Sequence, residues 1–172
     1  MRQNRTELLL QAVNSRVLIL DGAMGTMIQR YTLTEDDFRT PALKDHPKAL
    51  KGNNDLLSLS RPDIIRAIHL EYLKAGSDII ETNTFSAQVI SMADYNMESL
   101  SYELNVEAAK LARAAVDEYY ATNGDDYTKY VAGAIGPTNR TASISPDVND
   151  PGYRAVTFDM LLEKVALIDP SL

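Results

Sequence analysis

Residues 60–84, SRPDIIRAIHLEYLKAGSDIIETNT, read as a helix followed by a strand, and they decide the fold class. Ser60 suits the N-cap position, and Pro62 suits the first turn of a helix. Apolar residues then recur at spacings of three and four, and Gly76 suits the C-terminal end. The apolar run Asp78–Glu81 predicts a strand. A helix that leads into a strand in this way is the repeating unit of an α/β protein.

The same alternation recurs along the rest of the chain. Further strands are predicted at Val17–Leu20, Leu56–Leu59 and Tyr130–Ile135. Helical periodicity predicts one long helix that begins near Asn96 and another that opens at Thr157. Strands that alternate with helices favour a parallel sheet with right-handed crossovers. Four such units could form a small open sheet or the first half of a closed eight-stranded barrel, and periodicity does not separate these two folds.

Composition narrows the classes of function. The chain has 172 residues, of which 45% are hydrophobic, so it suits one domain with a core of its own. A net charge of −7 with no basic stripe argues against nucleic-acid binding. No apolar run approaches the ~20 residues of a membrane helix, and no secretory signal is visible. Cysteine is absent, which removes disulfides, thiolate nucleophiles and cysteine metal sites. We expect a cytoplasmic protein that binds neither nucleic acid nor membrane.

The first candidate site follows the first predicted strand. Asp21, Gly22, Ala23 and Met24 stand where the carboxyl end of a parallel strand would present them to a ligand. Backbone N–H groups of a glycine-containing turn suit the carboxylate of an amino acid, and Asp21 suits its ammonium group. Alternatively, Asp21 caps the next helix and the glycines only close the turn. Taken alone, the residues favour this second interpretation.

The second candidate site follows the strand at Asp78–Glu81. Glu81, Thr82, Asn83 and Thr84 are consecutive polar residues directly after two isoleucines. Glu81 could be a second anchor for the same ammonium group, with the other three lining a barrel mouth or sheet crevice. The alternative is a hydrogen-bonded turn in which Thr84 caps the next helix. The residues alone do not separate the two. No metal-ligand spacing and no Ser/His/Asp set is visible.

Four segments together resemble the N-terminal homocysteine-binding module of cobalamin-dependent methionine synthases. They are ILDGAMGTMIQRY (19–31), KGNNDLLSLSRPDIIRAIHLEYLKAGSDIIETNTFSA (51–87), YELNVEAAKLARAAVDEY (102–119) and VAGAIGPTNRTASISPDVNDPGYRAVTFDML (131–161). The resemblance extends from about residue 17 to about residue 162, whereas residues 163–172 depart from the family. The segment GPTNRTASISPDV favours methionine synthase over the related betaine–homocysteine methyltransferase.

The resemblance implies a (β/α)₈ barrel, of which about four strands would lie in this chain. It also implies a methyl-transfer reaction. In that reaction methylcobalamin gives its methyl group to the thiol of homocysteine, which zinc holds as a thiolate near neutral pH. The full enzyme carries its cobalamin and folate modules separately on the same chain. The turn at Asp21–Met24 and the strand end at Glu81–Thr84 would lie at the substrate end of the barrel. The resemblance therefore favours the amino-acid anchor over the simple cap.

The chain also departs from that family. The family's zinc ligands are three cysteines on the sixth and eighth strands, and this chain has no cysteine. We therefore expect residues 1–172 to be a truncated barrel domain that holds part of the homocysteine site. This part would have no catalytic or metal-binding residue and would transfer no methyl group alone, and neither zinc nor methylcobalamin would bind it firmly. The rival interpretation is a non-catalytic half-barrel that binds an amino acid or self-associates through exposed sheet edges.

Overall fold

The computed structural model describes residues 5–124 and 128–165 as an α/β fold with a two-stranded parallel sheet. The α-helices are α1 Arg5–Ser15, α2 Met24–Ile28, α3 Leu57–Ser60, α4 Pro62–Lys74, α5 Val89–Met92, α6 Ser101–Asn123 and α7 Phe158–Val165. The strands are β1 Ile79–Glu81 and β2 Tyr130–Ala132. Short 3₁₀ turns lie at Glu35–Phe38, Pro41–Leu43, Asn54–Leu56, Ala93–Tyr95 and Glu98–Leu100. Most of the divergent tail predicted at 163–172 lies outside the described residues.

Three chain segments run parallel at the centre of the fold. Strand β1 pairs with β2 in a register that places Ile79 opposite Tyr130. On the other side of β1, Leu20 forms a single parallel bridge with Ile79, and the Asp21 N–H donates to the Ile79 carbonyl at 2.9 Å. The strand predicted at Val17–Leu20 is therefore present only as this bridge, whereas the two later strands are confirmed in shorter form.

The strand predicted at Leu56–Leu59 is wrong. This segment is helical, since the 3₁₀ turn Asn54–Leu56 leads directly into α3. Leu56 and Leu57 are both fully buried in the main hydrophobic core. A short apolar run fits a buried helical turn as well as a buried strand, and its tertiary surroundings decide between them. The described residues consequently contain three parallel segments instead of the four that were predicted.

The predicted helices are confirmed, with corrections at their ends. Helix α4 begins after Arg61 instead of Ser60, because the Ser60 hydroxyl donates to the Leu56 carbonyl and does not cap α4. Gly76 follows α4 with a φ of 105°, a conformation that glycine adopts without strain. Helix α6 begins at Ser101 instead of near Asn96. Asn96 has a left-handed φ of 56° and ends the preceding 3₁₀ turn.

Two hydrophobic clusters hold the helices against the sheet. The larger cluster joins α2, α3, α4 and the start of α6, and it includes Ile65, Ile68 and Leu104. The smaller one joins α4, β1 and α6 through Leu73, Ile80 and other buried residues. No helix in residues 5–124 and 128–165 is both long enough and apolar enough to span a bilayer.

A charged cluster ties together the starts of the three parallel segments. Asp78 accepts two hydrogen bonds from the Arg16 guanidinium, at 2.8 and 2.7 Å, and one from the Ile19 N–H at 2.9 Å. Lys129 Nζ lies 4.0 Å from the same carboxylate and 5.6 Å from the centre of the Tyr119 ring. Asp78 and Lys129 are both buried. This cluster fixes the amino ends of the segments, whereas their carboxyl ends open onto a cavity.

Candidate functional site

A cavity of about 570 Å³ lies at the carboxyl ends of the parallel segments. Its wall is formed by residues 21–25, 52–55, 81–86, 91, 94, 95, 134 and 139. All eight residues that the sequence singled out lie on this wall, because the ends of neighbouring parallel strands meet at one edge of the sheet. The structure thus brings the two candidate segments together around a single cavity.

The Asp21 carboxylate is half-buried beside the end of β1. Both of its oxygens lie 3.1 Å from the Glu81 backbone nitrogen, whose N–H donates to them. Burial raises the pKa of Asp21 to about 6; the Glu81 N–H partly offsets the rise, and the negative charge of Glu81 adds to it. The exposed Glu81 side chain forms no ion pair within the described residues. The charge of Glu81 thus disfavours the ionised form of Asp21, and no cationic side chain of the described residues forms an ion pair with either carboxylate.

Unpaired backbone donors lie next to Asp21. Within the described residues, the N–H groups of Gly22, Ala23 and Met24 donate to no protein acceptor. The turn can therefore offer them to an anion. Helix α2 has only five residues, so its dipole adds little to this arrangement. Neither Gly22 nor Gly25 has a positive φ, and a Cβ at either position would meet only ordinary contacts, so the turn does not require glycine there.

The side chains of Thr82, Asn83 and Thr84 are buried and bonded to other protein groups. The two threonine hydroxyls lie 2.7 Å apart, and Thr84 also donates to the Ala134 carbonyl at 2.8 Å. Asn83 Nδ2 donates to the Asn54 carbonyl at 2.8 Å. These contacts support the hydrogen-bonded-turn interpretation of this segment, although Thr84 caps no helix. In this segment the Glu81 carboxylate differs from the other three side chains, because it has no hydrogen-bond or ion-pair partner within the described residues.

The sequence analysis missed Asp55, which lies on the opposite wall. Its side chain is only 4% exposed, and its Oδ2 accepts the Ser86 N–H at 2.6 Å. Burial raises the pKa of Asp55 to about 6, although hydrogen bonds from backbone N–H groups oppose the rise. The available signal was the polar triplet Asn53-Asn54-Asp55 directly before two buried leucines. The wrong strand at Leu56–Leu59 placed this triplet at the amino end of a strand, away from the cavity.

The segment after β2 covers one side of the cavity. The Gly136 N–H donates to the Phe85 carbonyl at 3.0 Å, and a Cβ at Gly136 would lie 2.3 Å from that oxygen. Farther along, Asn139 Nδ2 donates to Asp94 Oδ2 at 2.5 Å. Glycine is therefore required at position 136 for the close approach of the two segments. Asp94 and Asn139, like Asp55, were not predicted as site residues.

The charge of the cavity wall is negative. Its carboxylates are Asp21, Asp55, Glu81 and Asp94, and among the described residues no lysine, arginine or histidine contributes to it. Such a wall favours a ligand with a positive group. No group of three or more potential metal-ligating residues exists in residues 5–124 and 128–165, and the chain has no cysteine. The described residues therefore do not fit a zinc centre.

A cavity at the carboxyl ends of parallel strands is the usual ligand site of α/β proteins. A family model described as homocysteine S-methyltransferase matches residues 18–164, and the chain belongs to that family. Solved structures of the homocysteine methyltransferase MmuM from Escherichia coli are similar, at 28% identity. The metallated form has a TM-score of 0.57 over 73% of this chain, and the oxidized form 0.60 over 78%. The chain spans 40% and 41% of those two structures.

Proposed function

We propose that this chain holds the amino-acid end of homocysteine in the cavity. The ammonium group would bind between Asp21 and Glu81, and the carboxylate would bind the N–H groups of Gly22, Ala23 and Met24. Thr82, Asn83 and Thr84 would support this wall through their hydrogen bonds. The proposal is supported by family membership and by the complementarity of an anionic pair and unpaired donors to a zwitterion.

The observation that carries the proposal is the unpaired Asp21–Glu81 couple. Burial and the Glu81 charge oppose ionisation of Asp21, and none of the described residues brings a basic side chain to the cavity to relieve that cost. An ammonium group between the two carboxylates would provide the missing positive charge. A hydrogen bond to a charged group is worth about 1.5–3 kcal/mol, which corresponds to a ten- to hundredfold effect on affinity.

We further propose that the chain is part of a (β/α)₈ barrel enzyme that transfers a methyl group to the homocysteine thiol. The three parallel segments and the cavity at their carboxyl ends support a barrel. The resemblance to methionine synthases makes methylcobalamin the proposed donor, whereas the matched structures are of a homocysteine methyltransferase called MmuM. Zinc, where the family binds it, supplies thiolate stabilisation. The role of this chain's residues is to bind and orient the amino acid.

Binding of L-homocysteine to the purified chain, measured by isothermal titration calorimetry, tests the anchor. We expect Asp21→Asn to weaken binding ten- to hundredfold, because it removes the charge but keeps the shape. Asp36→Asn is the matched control, since Asp36 is exposed and lies outside the cavity. 4-Mercaptobutanoate, which lacks the ammonium group, should bind the wild type as weakly as homocysteine binds the variant. Equal homocysteine affinities for wild type and Asp21→Asn would refute the anchor.

The methyl-transfer proposal has its own test. The purified chain with homocysteine, methylcobalamin and zinc should form no methionine above the protein-free rate, because the chain has no cysteine to hold the metal. Methionine formation that depends on the chain would show that it completes a catalytic site with other residues.

A non-catalytic role remains a second candidate because the sheet has an exposed apolar edge. Val17, Ile19 and Leu20 are 86%, 57% and 49% exposed on the segment that pairs with β1. An open parallel edge with apolar side chains favours self-association. Sedimentation velocity over a hundredfold concentration range would show a rising sedimentation coefficient if the chain self-associates. A constant monomeric value would contradict this role.

A further inference from the structure

Asp55 is a buried carboxylate whose partners are backbone amides. It lies in the 3₁₀ turn Asn54–Leu56, and its Oδ2 accepts the Ser86 N–H at 2.6 Å, while the nearby Phe85 N–H also favours its ionised form. Within the part of the chain that the structure describes, no lysine or arginine forms an ion pair with it. Its ionised form is stabilised by these two N–H groups, which belong to a segment thirty residues farther along the chain.

A second set of hydrogen bonds joins the same two segments. Asn83 Nδ2 donates to the Asn54 carbonyl at 2.8 Å and lies 3.1 Å from the Ser58 hydroxyl oxygen. On its other side, the turn is bonded to the chain after β2 through Thr84 and the Ala134 carbonyl. Residues 82–86 are therefore held between the 54–58 segment and the end of β2. The N–H of Glu81, which directly precedes this turn, donates to the Asp21 carboxylate.

We propose that Asp55 is a positioning residue, whose carboxylate holds the turn 82–86 in the shape that keeps Glu81 beside Asp21. The ligand part of this inference rests on the proposed homocysteine anchor, whereas the effect on the turn does not. Asp55 acts through the turn and does not itself touch the ammonium group. It sets the distance between the two carboxylates that bind the ligand.

The positioning role requires the carboxylate of Asp55, and a neutral side chain at this position would not replace it. Asparagine would offer one carbonyl oxygen to two N–H donors and would turn an NH₂ group towards one of them. Alanine would leave the Ser86 N–H without its acceptor and would remove the carboxylate near the Phe85 N–H. A buried donor without a partner carries a substantial penalty, so the turn should open locally in both variants.

Amide hydrogen exchange measured by NMR on the ¹⁵N-labelled full chain tests the effect on the turn. In Asp55→Asn we expect the Phe85 and Ser86 amides to exchange about tenfold faster, since one hydrogen bond is worth about 1 kcal/mol or more. The Ala112 amide, in the middle of α6, should keep its wild-type rate. Asp36→Asn is the control, because it removes an exposed carboxylate from the same long loop between α2 and α3.

A spectroscopic signature separates positioning by the charge from a general loss of stability. The Ser86 amide proton shift of the wild type should titrate between pH 5 and 7, together with the Asp55 carboxylate, and should stop doing so in Asp55→Asn. Burial raises the pKa of Tyr95, and the charges of Asp94 and Asp55 add to that rise.

Ligand affinity completes the experiment. We expect the dissociation constant for L-homocysteine to rise about tenfold in Asp55→Asn, in line with the loosening of the turn. Unchanged Phe85 and Ser86 exchange would overturn the effect on the turn, and faster exchange with unchanged affinity would overturn the effect on the ligand. If the wild type does not bind homocysteine, both the proposed anchor and the effect of Asp55 on ligand affinity are refuted. The amide exchange rates would still show whether Asp55 holds the turn.

Discussion

His69 should make the free energy of unfolding fall in weak acid. Its side chain is fully buried in α4, and neither ring nitrogen has a hydrogen-bond partner within the described residues. Burial lowers the pKa of His69 from 6.5 to about 4. Because the folded pKa lies below the unfolded one, the unfolded chain binds the proton first as the pH falls. The stabilisation is complete above about pH 6.5 and is lost between there and pH 4.

The pKa difference sets the size of this effect. A difference of about 2.5 units corresponds to about 3 kcal/mol once both states are protonated, and to about 2 kcal/mol between pH 7 and pH 5. Asp21 and Asp55 contribute with the opposite sign, because their folded pKa values are raised to about 6. These carboxylates favour the folded state as the pH falls from 6 to 4. The His69 effect must therefore be measured as a difference between variants.

Urea unfolding of wild type and His69→Leu at pH 7, 6 and 5, followed by circular dichroism, isolates the effect. Leucine removes both the titration and the two unpaired nitrogens, so the variant should be at least as stable as wild type at pH 7. The stability difference should then grow by about 2 kcal/mol in favour of the variant by pH 5. His46→Gln, which removes the other histidine of the sequence, is the control variant. A difference that stays constant from pH 7 to 5 would refute the reasoning.

Three further predictions concern the charged cluster and the cavity. Asp78→Ala should lower the free energy of urea unfolding by about 3 kcal/mol, because it leaves the buried Lys129 and the partly buried Arg16 without their carboxylate, and a loss below 1 kcal/mol would contradict this. Gly136→Ala should weaken homocysteine binding, because the new Cβ would displace the turn at Phe85. In the control Gly133→Ala the Cβ meets nothing within 4 Å, so the affinity should not change. Equal homocysteine affinities for Gly136→Ala and wild type would exclude an effect of the clash on binding. Homocysteine affinity, measured calorimetrically, should fall as the pH drops below about 6, where Asp21 becomes protonated, and a flat profile would argue against an ionic anchor.

Local sequence patterns predicted the amphipathic elements well. Helix α4 follows from its apolar stripe and its early proline, and β1 follows from two isoleucines between polar neighbours. The segment Leu56–Leu59 could not be assigned in this way. The segment is too short for its periodicity to distinguish a helical turn from a strand. Burial of Leu56 and Leu57 in the main core is compatible with either conformation.

The sequence by itself determined which carboxylates stand at the ends of the parallel segments, because strand ends follow from local apolar runs. Asp21 and Glu81 were placed together on that ground. Only the tertiary structure decided that Asp55 lines the same cavity and that the Asn83 side chain is hydrogen-bonded to Asn54 and Ser58. The reason is physical: these hydrogen bonds join segments about thirty residues apart, and their geometry depends on how α3 and α4 pack, which no local periodicity records.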